Sequence, residues 1–381
     1  VPSLTFYPLG NADSCRIHLA NNDQVLFDFG AMRDPNDKND KRFDLLAEVR
    51  KDMKAAKQDS FAAVAFTHLD NDHVKGSQDF FYLEHANCYQ DGHRFKIDEL
   101  WVPAAAILEE GLEDDARIIR AEARYRLRNG ERIRVFSRPE ALLGWFEAEG
   151  LDYESRKHLF VDAGKLVPTF NLAADGVEFF VHSPFASRQN EAEVIDRNTD
   201  SIVVQVTFCV EDKLTKVILA SDVDHNALAE IVNITKFHRR EDRLEWDVFK
   251  LSHHCSYTAI GPERGKEKTE PTEETKWLYE EKGLSKAIMV STSWPIPVKD
   301  SKEDESVQPP HRQAHAYHQS HTDNRSGKLK VTMEHPKQSA AERLIIEIDG
   351  TKARLVENFL GGVSVITSRP APRAGNGRKF H

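Results

Sequence analysis

Two histidines and two aspartates fall within six residues of the segment Thr67-His68-Leu69-Asp70-Asn71-Asp72-His73. The segment follows directly on the apolar run Phe61-Ala62-Ala63-Val64-Ala65-Phe66, which reads as a short buried strand. Such a strand delivers two imidazoles and two carboxylates to one tight loop. Holding them together is costly unless a cation neutralises the carboxylates and accepts the imidazole lone pairs. The plainer alternative is a polar loop rich in Asp and His by chance, and the rest of the chain weakens it. Val217-Ile218-Leu219-Ala220 ends in Ser221-Asp222, and Val248-Phe249-Lys250-Leu251 ends in Ser252-His253-His254. Three strands that each stop at a potential ligand point to one metal-dependent site at the strand ends, where α/β folds place their chemistry.

This order of ligands resembles the metallo-β-lactamase fold superfamily, which carries a His-x-His-x-Asp-His loop, a mid-chain ligand, an Asp after one strand and a His after a later strand. Here Asp70 stands where the loop's second His is usual. That variant, together with Ser252-His253-His254-Cys255-Ser256, is most similar to the metallo-β-lactamase domain of the bacterial competence (DNA-uptake) channel family, although Gly is usual at the position of Cys255. The opening stretches Tyr7-Pro8-Leu9-Gly10-Asn11-Ala12-Asp13-Ser14-Cys15 and Val25-Leu26-Phe27-Asp28-Phe29-Gly30 resemble that family's first hairpin. The likeness covers most of residues 1–300 and implies a four-layer αββα sandwich of the α/β (α+β) class.

By the same resemblance, His68 and Asp70 hold a first divalent ion, Asp72 and His73 a second, and Asp222 both. His253 is favoured over His254 as the last ligand of the second ion, which leaves His254 for substrate contact or proton transfer to the leaving group. The mid-chain ligand is assigned to Asn198, ahead of Asp200 and His182, because the competence-family domains have Asn before the matching Ser201. Asp72 would also orient the attacking hydroxide that bridges the two ions. His311 lies where those domains carry a His at the mouth of the site, and would touch a phosphate or the leaving group. Asp13 and Asp28 read as hydrogen-bonding supports of the ligand loops.

Oxygen donors from Asp70 and Asn198 in place of imidazole suit Mn²⁺ or Mg²⁺ better than a nitrogen-rich set does. Two divalent ions are therefore expected, Mn²⁺ or Zn²⁺, with Mg²⁺ as a further candidate. The expected activity is metal-dependent hydrolysis of a phosphodiester, as a nuclease or phosphodiesterase acting on nucleic acid or a small phosphodiester. A second reading is hydrolysis of a small phosphorylated or ester substrate, such as a cyclic nucleotide or a phosphocholine ester. A third is a metal-binding subunit without activity that serves a protein partner.

The elements that must position these groups come from a chain of 381 residues, 40% apolar and 30% charged, enough for a sizeable core and a soluble protein. No apolar run reaches the length of a membrane span, and no signal peptide is visible ahead of the strand-like start, although a start at Val1 in place of Met leaves room for a processed leader. The cysteines, Cys15, Cys88, Cys209 and Cys255, are scattered. They imply neither a zinc ribbon nor a disulfide framework, which suits a reducing cytoplasm. The net charge of −10 argues against non-specific coating of nucleic acid. Arg117, Arg120, Arg124 and Arg128 nevertheless fall at helical spacing. Their stripe either holds phosphates or pairs with the acidic run at 109–115.

Residues 4–30 read as two or three strands with a turn at Asn21-Asn22-Asp23. Residues 43–56 read as a helix with Phe43, Leu46, Val49 and Met53 on one face. The expected organisation is a hydrolase domain over 1–325 with an insert at about 86–165 beside the site. A C-terminal β meander over 326–367 and a disordered basic tail over 368–381 follow. His311, His315 and His318 fall at i, i+4 and i+7 on one helical face, with His321 beyond. A second metal site there is the weaker reading, since no acidic or Cys partner is near.

Overall fold

The computed structural model describes residues 1–191 and 196–356. Its first half supplies strands β1 (Ser3–Phe6), β2 (Cys15–His18), β3 (Gln24–Phe27), β4 (Ala63–Ala65), β5 (Leu100–Pro103), β6 (Ile133–Phe136) and β7 (Phe160–Val161). Then come β8 (Val177–Ser183), β9 (Val203–Val210), β10 (Lys213–Leu219), β11 (Trp246–Lys250), β12 (Gly283–Ser291) and β13 (Lys328–Val331), and finally β14 (Leu344–Ile348) and β15 (Ala353–Leu355). The first sheet has nine strands in the order β15-β14-β1-β2-β3-β4-β5-β6-β7, and the second has six, β8 to β13 in sequence. Pairing is antiparallel from β1 to β3 and parallel from β3 to β7. In the second sheet it is antiparallel from β8 to β10 and parallel from β10 to β13.

Alternation of side chains assigns each strand two faces. In β3, Val25 and Phe27 enter the core between the sheets, while Leu26 faces the opposite way. In β11, Val248 joins that central core and Phe249 faces outward. Helices α1 (Leu45–Ala55), α2 (Asn71–Val74) and α3 (Asp114–Asn129) cover the first sheet. Helices α4 (His225–Phe237) and α5 (Arg312–Asn324) cover the second. The result is a four-layer αββα sandwich. Trp101 of β5 fills the middle, fully buried among Phe27, Phe136, Phe170 and Phe179. Among the described residues no helix is long and apolar enough to cross a membrane.

Local signals explain most boundaries. Helix α1 begins one residue after Asp44, whose carboxylate accepts from Ala47 N–H at 3.1 Å and so caps the helix. Its buried face is Leu45, Val49 and Met53. Two stretches differ from the sequence expectation. Residues 86–165 are more than an insert, because β5, β6 and β7 extend the first sheet in parallel. The C-terminal strands are not a separate meander. β13 closes the edge of the second sheet, and β14 pairs with β1 through Ile346 opposite Leu4. Leu344, Ile346 and Ile348 alternate into the central core, and that burial draws β14 to the first sheet. The remainder of the expected extension, from 357, and the basic tail lie outside the described residues.

Much of the arginine stripe on α3 is neutralised within the protein. Arg120 and Arg124 both pair with Glu110, Arg128 pairs with Glu149, and the buried Arg126 pairs with Glu122. On α5, His318 and His321 are buried and His311 sits at the N-cap. Among the described residues these histidines form no group with ligand atoms close enough to share an ion. Burial, with His315 and His321 nearby, lowers the His318 pKa to about 3. The folded chain therefore refuses a proton that the unfolded chain accepts, and stability falls as pH drops below the ordinary histidine range. His318→Leu should flatten this dependence by up to about 1.4 kcal/mol per pH unit between about pH 6.5 and pH 4. Urea unfolding across that range measures it, and an unaltered slope in the variant would show that His318 is not held neutral.

Candidate metal centre

Thr67, just beyond β4, ties the two sheets together at their ends. Its N–H and hydroxyl donate to the Asp28 carboxylate at 2.7 and 2.8 Å. Its carbonyl accepts from Ile202 N–H at 3.0 Å, and its hydroxyl accepts from Ser221 at 2.7 Å. Asp28 follows β3, while Ile202 and Ser221 flank strands of the second sheet. The next residues form the ligand loop. Asp70 holds the N-cap position of α2 but makes no capping bond with its side chain, so its carboxylate is turned elsewhere. Asp72 and His73 lie in the first turn. Gly30 is required here, because a Cβ would stand 2.0 Å from the Asp72 carbonyl oxygen.

Four ligand atoms converge. His254 Nε2 lies 3.1 Å from Asp72 Oδ2 and 3.3 Å from Asp222 Oδ2. His73 Nε2 lies 3.4 Å from Asp222 Oδ2 and 3.8 Å from Asp72 Oδ2. Ligands about 2.1 Å from a tetrahedral cation stand about 3.4 Å apart, so these separations fit one ion. The other nitrogen of each ring is fixed from outside. His73 Nδ1 is 2.9 Å from Asp28 Oδ2, and His254 Nδ1 donates to the Thr292 carbonyl at 2.8 Å. Such contacts set which lone pair faces a metal. Beside this group, His68 Nε2 stands 3.5 Å from Asp70 Oδ2. Among the described residues, His68 Nε2, His73 Nε2, Asp222 Oδ1 and Asn198 Oδ1 are buried without a hydrogen-bond partner. Unsatisfied buried polar atoms are rare, and four of them on these residues fit a cation-binding role.

The charge balance agrees. Burial opposes charge on both rings, yet Asp28, Asp222 and Asp72 raise the His73 pKa well above its ordinary value, and Asp222 and Asp72 carry His254 up to about 10. Burial likewise opposes ionisation of Asp222, and His254 and His73 hold its pKa well below the usual range. The carboxylates thus favour the protonated form of both rings, and Lys250 adds a further positive charge beside them. That lysine is 5% exposed, bonds the Asp13 carboxylate and lies 3.8 Å from Asp222 Oδ1.

The structure places the two adjacent histidines differently from the order favoured in the sequence. His254 joins Asp72, His73 and Asp222, while His253 is only partly buried and outside the group. The cause is local. His253, His254 and Cys255 take left-handed backbone angles, φ 48°, 52° and 65°, and this turn swings His254 inward. His254 Nε2 therefore lies within the group that could hold an ion, and not beside it. His311 is also outside the group. Its Nδ1 accepts from Tyr257 N–H at 3.3 Å, and its neighbours include His253. Asn198 lies just before Ser201 and Ile202, where Ile202 N–H bonds the Thr67 carbonyl. His182 bonds the Arg243 carbonyl and has no place at the centre. Asp200 has Arg188, Asp196 and Glu230 as its charged neighbours. Lys250 was missed, although a lysine between Phe249 and Leu251 in an apolar strand is a signal, because buried lysines are almost always paired.

No protein-family model matches the chain, and no curated protein matches it. Among solved structures, one described as a new diphosphatase from the PhnP family is similar, with a TM-score of 0.30 and 10% identity over 82% of this chain and 96% of that one. The αββα sandwich, with Asp and His side chains grouped at its strand ends, agrees with the fold class expected from the sequence. The competence-channel likeness has no counterpart in these comparisons.

His254→Ala should weaken binding of the tighter divalent ion by at least about a hundredfold, and His253→Ala should leave it within about threefold. Titration calorimetry of the metal-free protein decides between them, and equal losses would overturn the placement. A cation that displaces both imidazolium protons should release about two protons near neutral pH, so affinity should climb as pH rises toward 10. Calorimetry in buffers of different ionisation enthalpy counts those protons.

Proposed function

We propose that the chain is a divalent-metal-dependent hydrolase of phosphoesters, with a small phosphodiester or phosphorylated molecule as its substrate. The observation that carries this reading is the four-atom group of Asp72, His73, Asp222 and His254, with His68 and Asp70 beside it. Two neighbouring cation positions with mixed oxygen and nitrogen donors suit Mn²⁺ or Zn²⁺. Bound there, divalent ions supply Lewis acidity toward a phosphoryl oxygen and a water of lowered pKa. The protein's own part is to hold these ligands in register. Asp28 orients His73, the Thr292 carbonyl orients His254, and Lys250 steadies Asp13 next to Asp222. Asp72, whose side chain is 28% exposed, is the group of the four that faces incoming substrate.

A small substrate is favoured over nucleic acid by the fate of the arginine stripe. Phosphate backbones are bound by unengaged cations, whereas three of the four stripe arginines, Arg120, Arg124 and Arg128, are each engaged by a glutamate. Nuclease action is the second reading, and a metal-holding partner subunit the third. Purified protein with Mn²⁺ or Zn²⁺ should cleave bis-p-nitrophenyl phosphate, a chelator should abolish cleavage, and Asp72→Ala should lower kcat by about 10²–10⁴-fold. Faster breakdown of single-stranded DNA or RNA than of the small ester would favour the nuclease. Absence of any phosphoester turnover with either metal would leave only the subunit.

A further inference from the structure

Arg197 is held at the edge of the proposed centre by two carboxylates with different duties. Glu109 grips one side of the guanidinium in a fork, accepting from Nε at 2.8 and 3.0 Å and from Nη2 at 2.5 Å. Asp70 accepts from Nη1 at 2.5 Å through Oδ1, while its other oxygen, Oδ2, faces His68 Nε2 at 3.5 Å. Asp70 thus stands between a guanidinium and the first cation position, and Arg197 directly precedes Asn198, the assigned mid-chain ligand. The guanidinium is not sealed in, since the Arg197 side chain is 35% exposed. A cleft of about 350 Å³ opens beside it, lined among others by Leu69, Asn71, Leu112, Glu113 and Asp114. Arg197 is the one basic residue among the described walls of that cleft.

We propose that Arg197 is the phosphoryl-binding residue of the centre. Nη1 bonds Asp70 here and would turn to a non-bridging phosphoryl oxygen with Asp70 engaged by a cation, while Glu109 keeps the guanidinium plane in place. This rests on the reading of the centre as a phosphoester hydrolase. The fork held by Glu109 leaves one edge of a planar, permanently charged donor aimed at the ligand loop, which is the geometry that recognises phosphate oxygens. It would also give a centre on an acidic protein a local cation for its anionic substrate.

Calorimetry of the full chain loaded with Mn²⁺, with phenylphosphonate as the probe, tests the assignment. Arg197→Gln should weaken phosphonate binding roughly tenfold or more, the loss of a charge-assisted hydrogen bond, and raise KM for bis-p-nitrophenyl phosphate by a similar factor with less change in kcat. Mn²⁺ stoichiometry should stay the same, and Mn²⁺ affinity should hold or tighten as Asp70 is released. Arg197→Lys, which keeps the charge but not the fork, should fall between the two and carries the test should the glutamine variant fail to fold. Phosphonate affinity within about twofold of wild type in Arg197→Gln, with Mn²⁺ still bound, would overturn the clamp alone. A wild-type chain that takes up neither Mn²⁺ nor Zn²⁺ would overturn the metal centre and the clamp with it.

Discussion

The crowding of carboxylates at one end of the sandwich is the constraint from which the rest of the structure follows. Asp13, Asp28 and Asp222 are each buried to 4% exposure or less, and Asp72 stands beside them. Like charges at such separations, removed from water, repel by several kcal/mol unless compensated. Lys250 meets part of that demand permanently. The imidazoles of His73 and His254 meet another part by holding protons that free histidines would release. A divalent cation would take over the same compensating role, so the crowding that favours protonated imidazoles also makes the centre receptive to metal.

The scaffold maintains this crowding by ending both sheets at one place. Thr67 from the first sheet and Ser221 from the second share a hydrogen bond, and Asp28 binds the same threonine. Movement of either sheet end would break a buried hydrogen bond and displace a ligand together. Strain is accepted at one point. Three successive non-glycine residues, His253 to Cys255, occupy the left-handed region, at a cost of about 1–2 kcal/mol each. The bonds from Ser256 N–H to the His253 carbonyl at 2.9 Å and from His254 Nδ1 to the Thr292 carbonyl hold that turn closed. Strain of this kind persists where the surroundings over-determine it, commonly at functional sites.

Much of this was legible in the sequence because the relevant signals are local. Apolar runs marked β4, β10 and β11, and polar residues at their ends marked the ligand loops. Asp72, His73 and Asp222 come together at those strand ends, and Asp70 stands beside His68. The choice between His253 and His254 was not legible, because adjacent residues differ only in the dihedral angles of a turn that depends on Thr292, about forty residues away. The placement of β14 was equally hidden. Its alternation of Leu344, Ile346 and Ile348 identifies a strand, but its partner, β1, lies at the opposite end of the chain. Long-range pairing of that kind leaves no mark in either segment alone. Pairing of the α3 arginines with Glu110 was one of the two readings the sequence allowed, whereas Glu149, the partner of Arg128, lies in a distant element.

Those pairings bear on what the protein can recognise. A surface that binds a polyanion must present cations whose nearest counter-charges are mobile ions, since their release drives binding. On α3 the counter-charges are fixed side chains, and replacing them with phosphates exchanges one ion pair for another with little gain. Recognition of an anionic substrate therefore falls to the centre itself, where charges are partly buried and screening by salt is weaker. A site whose attraction is short-ranged and confined to a few groups selects for the reacting phosphoryl and the atoms next to it. Under the proposed function, an extended chain adds little to such an encounter, whereas a compact phosphoester would meet Arg197 at a cleft whose other charged walls, Glu113, Asp114 and Asp115, turn away further negative charge.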